Sequence, residues 1–400
     1  MQNISDVRGF KFWGAHTGVK NKRRDLGFIY SVKPASAAAV FTKNVIVAEP
    51  IKISRDSVKD GVLQAIVVNS GNANACTGKQ GYEGAKAMIA ETAKQFDIPE
   101  SHVLVASTGV IGREFPTEKI LDGIRVNALK ISDRKVAGSF LASAILTTDT
   151  FPKEGFVKFK VGGKTINMGA VAKGSGMIHP DMGTMLCFIV CDAAIDFKLL
   201  DKALKEVVDQ TFNMITVDGD TSTNDMVSIM CNGEAGNPEI TEEGADYKLF
   251  KSKLLELCHH LARLIVSDGE GASKILEYIV KGAKTEQDAR KIIRTVSDSS
   301  LVKTAMFGRD PNWGRIIAAA GRSGITFKPE NVDLYIGSDE DVQLLKKGQP
   351  CPVDFTKLKN MMKSTDLRIT INLNDGKATA KGWGCDLSYE YVRINAEYTT

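Results

Sequence analysis

A chain of 400 residues with 43% hydrophobic and 25% charged side chains has a globular composition, which excludes disordered and fibrous proteins. Its length points to two or three folding units that can bury their cores without disulfide staples. The net charge is only +4, so electrostatics makes no case for a nucleic-acid or membrane partner.

The N-terminal stretch MQNISDVRGF has no apolar core, so no signal peptide is expected. The basic cluster Lys20, Lys22, Arg23 and Arg24 reads as a solvated loop. Residues 62–69 (VLQAIVVN) predict a buried strand that enters a small polar loop. Residues 84–96 have helical spacing, with Ala85, Met88, Ile89 and Ala93 on one face. The run 102–106 (HVLVA) predicts a strand that stops at a loop, Ser107-Thr108-Gly109, and 117–146 predicts two helices. A stretch of glycine and small residues, 169–183, then leads into MLCFIVC (185–191). This run is right for a strand buried on both faces and far short of the ~20 residues of a membrane span. Helices are expected at 197–212, 246–266 and from 286 to about 302, and strands at 276–280, 332–336 and 367–373. Strands and helices intermix without an internal repeat, which points to an α+β or α/β class. The seven cysteines are scattered with no CxxC pair, as suits buried thiols in a reducing cytoplasm.

Four loops concentrate glycine and small polar residues: 69–78, 107–112, 173–184 and 218–225, with a fifth, 267–273, closing a long helix. Such loops bring backbone N–H groups close to an anion or oxyanion, and each reads equally as a plain turn. Lys173 precedes its glycines instead of following them, so no P-loop is present. Cys258-His259-His260 and the Cys187/Cys191 pair lack a second half at ligand spacing, so no metal is expected. There is no Gly-x-Ser-x-Gly elbow. What remains is a hydroxyl nucleophile without a histidine. Were the bond from Gly183 to Thr184 cut, the new α-amine of Thr184, with an ordinary pKa of about 7.7–8.0, could serve its own hydroxyl as base. A threonine that merely starts a strand is the alternative, and the residues alone leave both open.

At these residues the sequence resembles the ornithine acetyltransferase family, the bifunctional glutamate N-acetyltransferases of arginine biosynthesis. KGSGMIHPDMGTML (173–186) is similar to the family's self-cleavage site. VASTGVIG (105–112), TVDGDTSTND (216–225), MFGRDPNWGRI (306–316) and YVRINAEYTT (391–400) also match, in family order along nearly the whole chain. Gly183 stands where alanine is usual, and Glu397 where aspartate is. The resemblance implies a two-domain α+β fold of layered sheets and helices, whose precursor cuts itself into an α chain, 1–183, and a β chain, 184–400. It implies acetyl transfer from N2-acetyl-L-ornithine to L-glutamate through an acetyl-Thr184 intermediate, without a cofactor. Acetyl-CoA is open as a second donor, because monofunctional and bifunctional members share these motifs. Thr184 maps to the nucleophile, and Thr108 and Gly109 to an oxyanion hole made by a hydroxyl and a backbone N–H. Thr150, Lys173, Thr184, Glu270, Asn395 and Thr400 map to substrate-binding positions. The implied assembly is a cytoplasmic heterotetramer of two α and two β chains with no nucleic-acid or membrane partner.

Two other readings stand beside this one. The first is an amidohydrolase or aminopeptidase with an N-terminal nucleophile, in which water takes the acyl group. The second is an uncut protein that binds a small anionic metabolite. The chain end is expected to be anchored by Tyr391, Val392 and Ile394, so that Asn395 and Thr400 reach a bound amino acid.

Overall fold

In the computed structural model, which describes residues 2–179 and 185–397, the apolar runs of the sequence pair into two mixed sheets faced by helices. The strands in chain order are β1 (Phe10–Ala15), β2 (Leu26–Phe41), β3 (Val62–Asn72), β4 (Val103–Val110), β5 (Lys153–Val161) and β6 (Lys164–Lys173). They continue as β7 (Leu186–Cys191), β8 (Ile215–Thr216), β9 (Met226–Cys231), β10 (Ile275–Ala283) and β11 (Asp333–Gly337). The last are β12 (Asp341–Lys346), β13 (Gln349–Pro350), β14 (Asp366–Asn372) and β15 (Ala378–Cys385). The first sheet has the order β4-β3-β2-β9-β7-β6-β5, with β1 on β2. The second runs β13-β12-β11-β14-β10-β15-β8.

Strand β7 is the clearest case of sequence dictating place. Successive side chains of a strand point to opposite faces, so an all-apolar hexamer belongs where both faces are covered. Leu186, Phe188 and Val190 enter one core, and Cys187, Ile189 and Cys191 enter the other. Helices Phe197–Gln210 and Ala245–Ser267 pack on the second of these faces, and Lys135–Ala144 on the first. Helix Gly78–Phe96 buries Ala85, Met88, Ile89 and Ala93, the face its spacing predicts, against β3 and β4. In the second sheet, helices Glu286–Ser297 and Trp313–Gly321 cover a core around Leu276 and Ile369. The chain adopts α+β layering, one of the two classes the pattern allows and the one the resemblance implies.

Several elements differ from the expectation. Residues 107–109 are strand and not loop, because Ser107, Thr108 and Gly109 pair in parallel with Asn69, Ser70 and Gly71 of β3. Gly109 does so at φ +134°, a conformation open to glycine, and a Cβ there would strike the backbone of Gly71 and Asn72. The glycine-rich stretch is strand β6 as far as Lys173. The helix expected from 286 to about 302 breaks at Asp298, and Ser299 caps a new helix, Ser300–Phe307, by accepting from the Val302 N–H. Strand β2 escaped the pattern because Pro34 interrupts it. Its pairing with β3 shifts register between Tyr30 and Ala35, and β9 takes its other edge from Ser36 onward.

The chain end forms a helix, Tyr389–Glu397, in which no residue is buried. Val392 is 64% exposed, but Tyr391 and Ile394 are half-buried and the Tyr389 ring packs edge-on against Phe307 at 5.5 Å, so the expected apolar anchor is partial. Polar contacts hold the helix as well: the Ser388 hydroxyl donates to the Gly271 carbonyl at 2.6 Å and Asn395 to Glu270 at 2.9 Å.

Strands β6 and β7 are antiparallel neighbours with Lys173 opposite Leu186. The first sheet therefore takes β1–β6 from residues before 183 and β7 and β9 from residues after it. A boundary at 183/184 runs through this sheet.

Candidate active site

Three chain stretches end at one place. Strand β4 delivers Thr108 and Gly109, strand β6 ends on Lys173, and the helix Ala245–Ser267 unwinds into the turn that carries Glu270. With Thr147, Thr148 and Asn395 they line a cavity of about 100 Å³. Thr108, Lys173 and Glu270 are all buried, and the Lys173 ammonium donates to Thr108 Oγ1 at 3.4 Å. Spacing could not show that Lys173 and Glu270 converge; the fold brings both to the same cavity. Gly176 backs onto the Glu270 carboxylate so closely that a Cβ there would push the carboxylate aside. Burial lowers the ammonium pKa of Lys173, opposed by the nearby charge of Asp149. Burial would raise Asp149, but Lys173 and Lys153 outweigh it and hold the carboxyl at about 2.

Sequence reasoning missed three residues around this cavity. Asp149 accepts from the Gly174 N–H at 2.7 Å and the Thr147 N–H at 3.0 Å. Asn224 donates to the carbonyls of Ala73 (2.6 Å) and Ser107 (2.8 Å), tying its loop to the oxyanion strand. Asp225 is buried and accepts from the Met185 N–H at 3.0 Å; burial drives its carboxyl well above the usual range. Asn224 and Asp225 lie in the TVDGDTSTND motif, so that signal was present without a role attached. Asp149 had no signal beyond its place between threonines.

Gly183, Thr184 and Thr400 lie outside the described residues. Met185, the residue bonded to Thr184, is buried, and its carbonyl accepts from the Met226 N–H at 3.1 Å. Thr150 is not among the residues lining the cavity. Its hydroxyl donates to Asp268, and its N–H lies 3.0 Å from Asp268 Oδ2.

The basic cluster is not a solvated loop throughout. Buried Asp25 accepts from the N–H groups of Thr17, Gly18 and Lys20, which folds the loop inward. Lys20 then donates to the Leu146 carbonyl at 2.8 Å, beside the lining residues Thr147 and Thr148, and burial pushes its ammonium down to about 8. Arg24 stacks 3.8 Å over the Phe140 ring.

Asp218 clamps the start of the loop after β6, accepting from Met177 N–H (2.6 Å) and Ile178 N–H (2.9 Å) while Met177 sits at φ +57°. Burial pushes its carboxyl up to about 6. The native state therefore holds this proton more tightly than the unfolded chain. Its contribution to stability is fully present below about pH 4 and is lost as pH rises to about 6. Urea midpoints for Asp218→Asn, compared with wild type, should shift in favour of the variant between pH 4 and 6 and level off above. A difference that stays flat over that window would show that Asp218 titrates as an ordinary carboxylate.

The sequence profile of the ArgJ family matches residues 11–400. The chain is 49% identical over 399 residues to the arginine biosynthesis bifunctional protein ArgJ of Listeria monocytogenes, covering 100% of this chain and 98% of that one. It is 46% identical over 400 residues to the protein of the same name from Symbiobacterium thermophilum, covering 99% and 98%. Among solved structures, the arginine biosynthesis bifunctional protein argJ from Bacillus halodurans matches with 45% identity and a TM-score of 0.50. That match covers 52% of this chain and 96% of the solved one. Over almost its whole length the chain is thus similar to biosynthetic enzymes. The chain belongs to the ArgJ family of arginine biosynthesis enzymes.

Proposed function

We propose that the protein moves the acetyl group of N2-acetyl-L-ornithine to L-glutamate through an acetyl ester on Thr184, formed after a cut between Gly183 and Thr184. The observation that carries this reading is the meeting of a buried cation, Lys173, and a buried carboxylate, Glu270, at a cavity that also holds the Thr108 hydroxyl. A donor with an α-carboxylate and a side-chain ammonium calls for one charge of each sign from its site. The Thr184 hydroxyl attacks the acetyl carbonyl and passes its proton to its own α-amine. The tetrahedral oxyanion meets the Thr108 hydroxyl and the Gly109 N–H, donors typically worth a few kcal/mol each. Collapse breaks the C–N bond, the proton goes to the departing amine, and ornithine leaves. The amine of glutamate then attacks the ester and takes the acetyl group, which frees Thr184.

The chemistry needs no cofactor, since hydroxyl, amine and oxyanion donors all belong to the protein. The length of the Bacillus halodurans chain supports a cut near the middle, because about half of this chain accounts for nearly all of it. The word bifunctional in the relatives' names supports acetyl-CoA as a second donor. A cytoplasmic assembly of two α and two β chains completes the proposal; no helix among the described residues is long and apolar enough to cross a membrane.

N-acetylornithine alone should leave one acetyl group on Thr184, read by peptide mass spectrometry, and added glutamate should discharge it as N-acetylglutamate. Free acetate in its place would make the enzyme a hydrolase. Asn395→Ala removes the amide that donates to Glu270 Oε2. It should raise KM for N-acetylornithine roughly tenfold, the worth of one hydrogen bond to a charged group, and leave the cut intact. An unchanged KM would place the amide outside the substrate's reach.

A further inference from the structure

We propose that Lys153, held between Asp149 and Asp268, is a positioning residue that fixes three separate walls of the cavity relative to one another. The proposal rests on the acetyl-transfer reading for its substrate and on geometry for the rest.

Lys153 opens strand β5 and is fully buried, which an ammonium tolerates only when its donors are satisfied. It has three, and all three are accounted for: Asp149 Oδ1 at 2.7 Å, Asp268 Oδ2 at 2.6 Å and the Phe151 carbonyl at 3.3 Å. Each carboxylate carries a different piece of the site. Asp149 accepts from the N–H groups of Thr147 and Gly174, so it holds both the turn with Thr147 and Thr148 and the residue after Lys173. Asp268 receives Thr150, and its carbonyl accepts from the Ser175 hydroxyl at 2.5 Å. The Glu270 N–H in turn donates to the Ser175 carbonyl at 3.0 Å. The Thr147 turn, the Lys173–Gly176 stretch and the Glu270 turn come from distant parts of the sequence, and one ammonium joins them.

A buried ion cluster adds little net stability over a well-packed apolar one, and its best use is to fix a unique arrangement. Here the arrangement concerns the groups that would meet the two charged ends of the donor. Thr108 and Gly109 reach the cavity from β4 and do not bond to this cluster directly. Thr108 accepts a long 3.4 Å bond from Lys173 but is placed by the pairing of β4 with β3, so loss of the joint acts first on substrate placement.

The test compares two variants with wild type. Lys153→Met/Asp268→Asn removes one charge of each sign at nearly constant volume, and Asp268→Glu keeps the ion pair but moves the Glu270 turn by a methylene. In both, KM for N-acetylornithine should rise about tenfold or more while kcat stays within about threefold, since small misplacements of a substrate are costly. Amide hydrogen exchange at residues 147–150 and 174–177 should quicken relative to the rest of the chain. A merely structural cluster would lower the melting temperature and leave KM and the local exchange pattern at wild-type values, and that result would overturn the proposal. Should one variant fail to fold, the other decides alone. Wild-type protein that transfers no acetyl group would sink the acetyl-transfer reading and not the joint, which hydrogen exchange would then decide.

Discussion

A denaturing gel of Thr184→Ala should show one chain of 400 residues, where the wild type should show two, split after Gly183. Alanine has no hydroxyl to attack the carbonyl of Gly183, so the first step of the cut is lost. The wild-type fragments should nevertheless elute together under native conditions. Strand β7 lies between β6 and β9, and β9 lies against β2, so the two fragments interleave in one sheet. Separating them would strip the helix Lys135–Ala144 from the face of β7 that carries Leu186, Phe188 and Val190, all buried. At roughly 1.5–3 kcal/mol for each of these three side chains, the cost is on the order of 5–9 kcal/mol for that face alone. The uncut variant should elute at the same volume and have no acetyl transfer. Wild-type enzyme that is active yet runs as one chain would overturn both the cut and the α-amine as base, because that amine exists only after the cut.

Thr108→Ala should lower kcat/KM by roughly 10²–10³, the usual loss for one oxyanion donor, with the larger part in kcat. The Thr108 oxygen accepts from Lys173 and still has a hydrogen to donate. Thr108→Ser keeps that hydrogen and should stay within about tenfold of wild type. The cut should proceed in both if it depends only on Thr184 and its own loop. An alanine variant with wild-type kcat would assign the oxyanion to other donors. The backbone pairing of Thr108 with Ser70 does not depend on its side chain, and a thermal melt would register any wider loss of structure.

Local patterns survive translation into structure when one physical rule decides them. An all-apolar hexamer at 186–191 has no stable place except between two covered faces, so its burial could be read from the sequence. The apolar face of Gly78–Phe96 was legible for the same reason, since 3.6-residue spacing leaves one side for the core. The family resemblance also gave the candidate residues Thr108, Gly109, Lys173, Glu270 and Asn395, which line one cavity.

Other features belong to no single segment. The stretch Ser107-Thr108-Gly109 looks like a loop in isolation and becomes strand because β3 offers it backbone partners. Lys20 reads as one cation of a surface cluster, and only buried Asp25 and the Leu146 carbonyl turn it inward. The C-terminal helix has only part of the apolar anchor its residues suggest, with Val392 exposed, and a serine–carbonyl bond and an amide–carboxylate bond to distant segments add to its hold. Lys153 is the furthest case. Nothing within seven residues of it distinguishes it from a surface lysine except Asp149, and its second carboxylate is 115 residues away. Spacing along the chain encodes which face a side chain takes. The charge it will meet there depends on which distant segments the core brings alongside, and that only the tertiary structure decides.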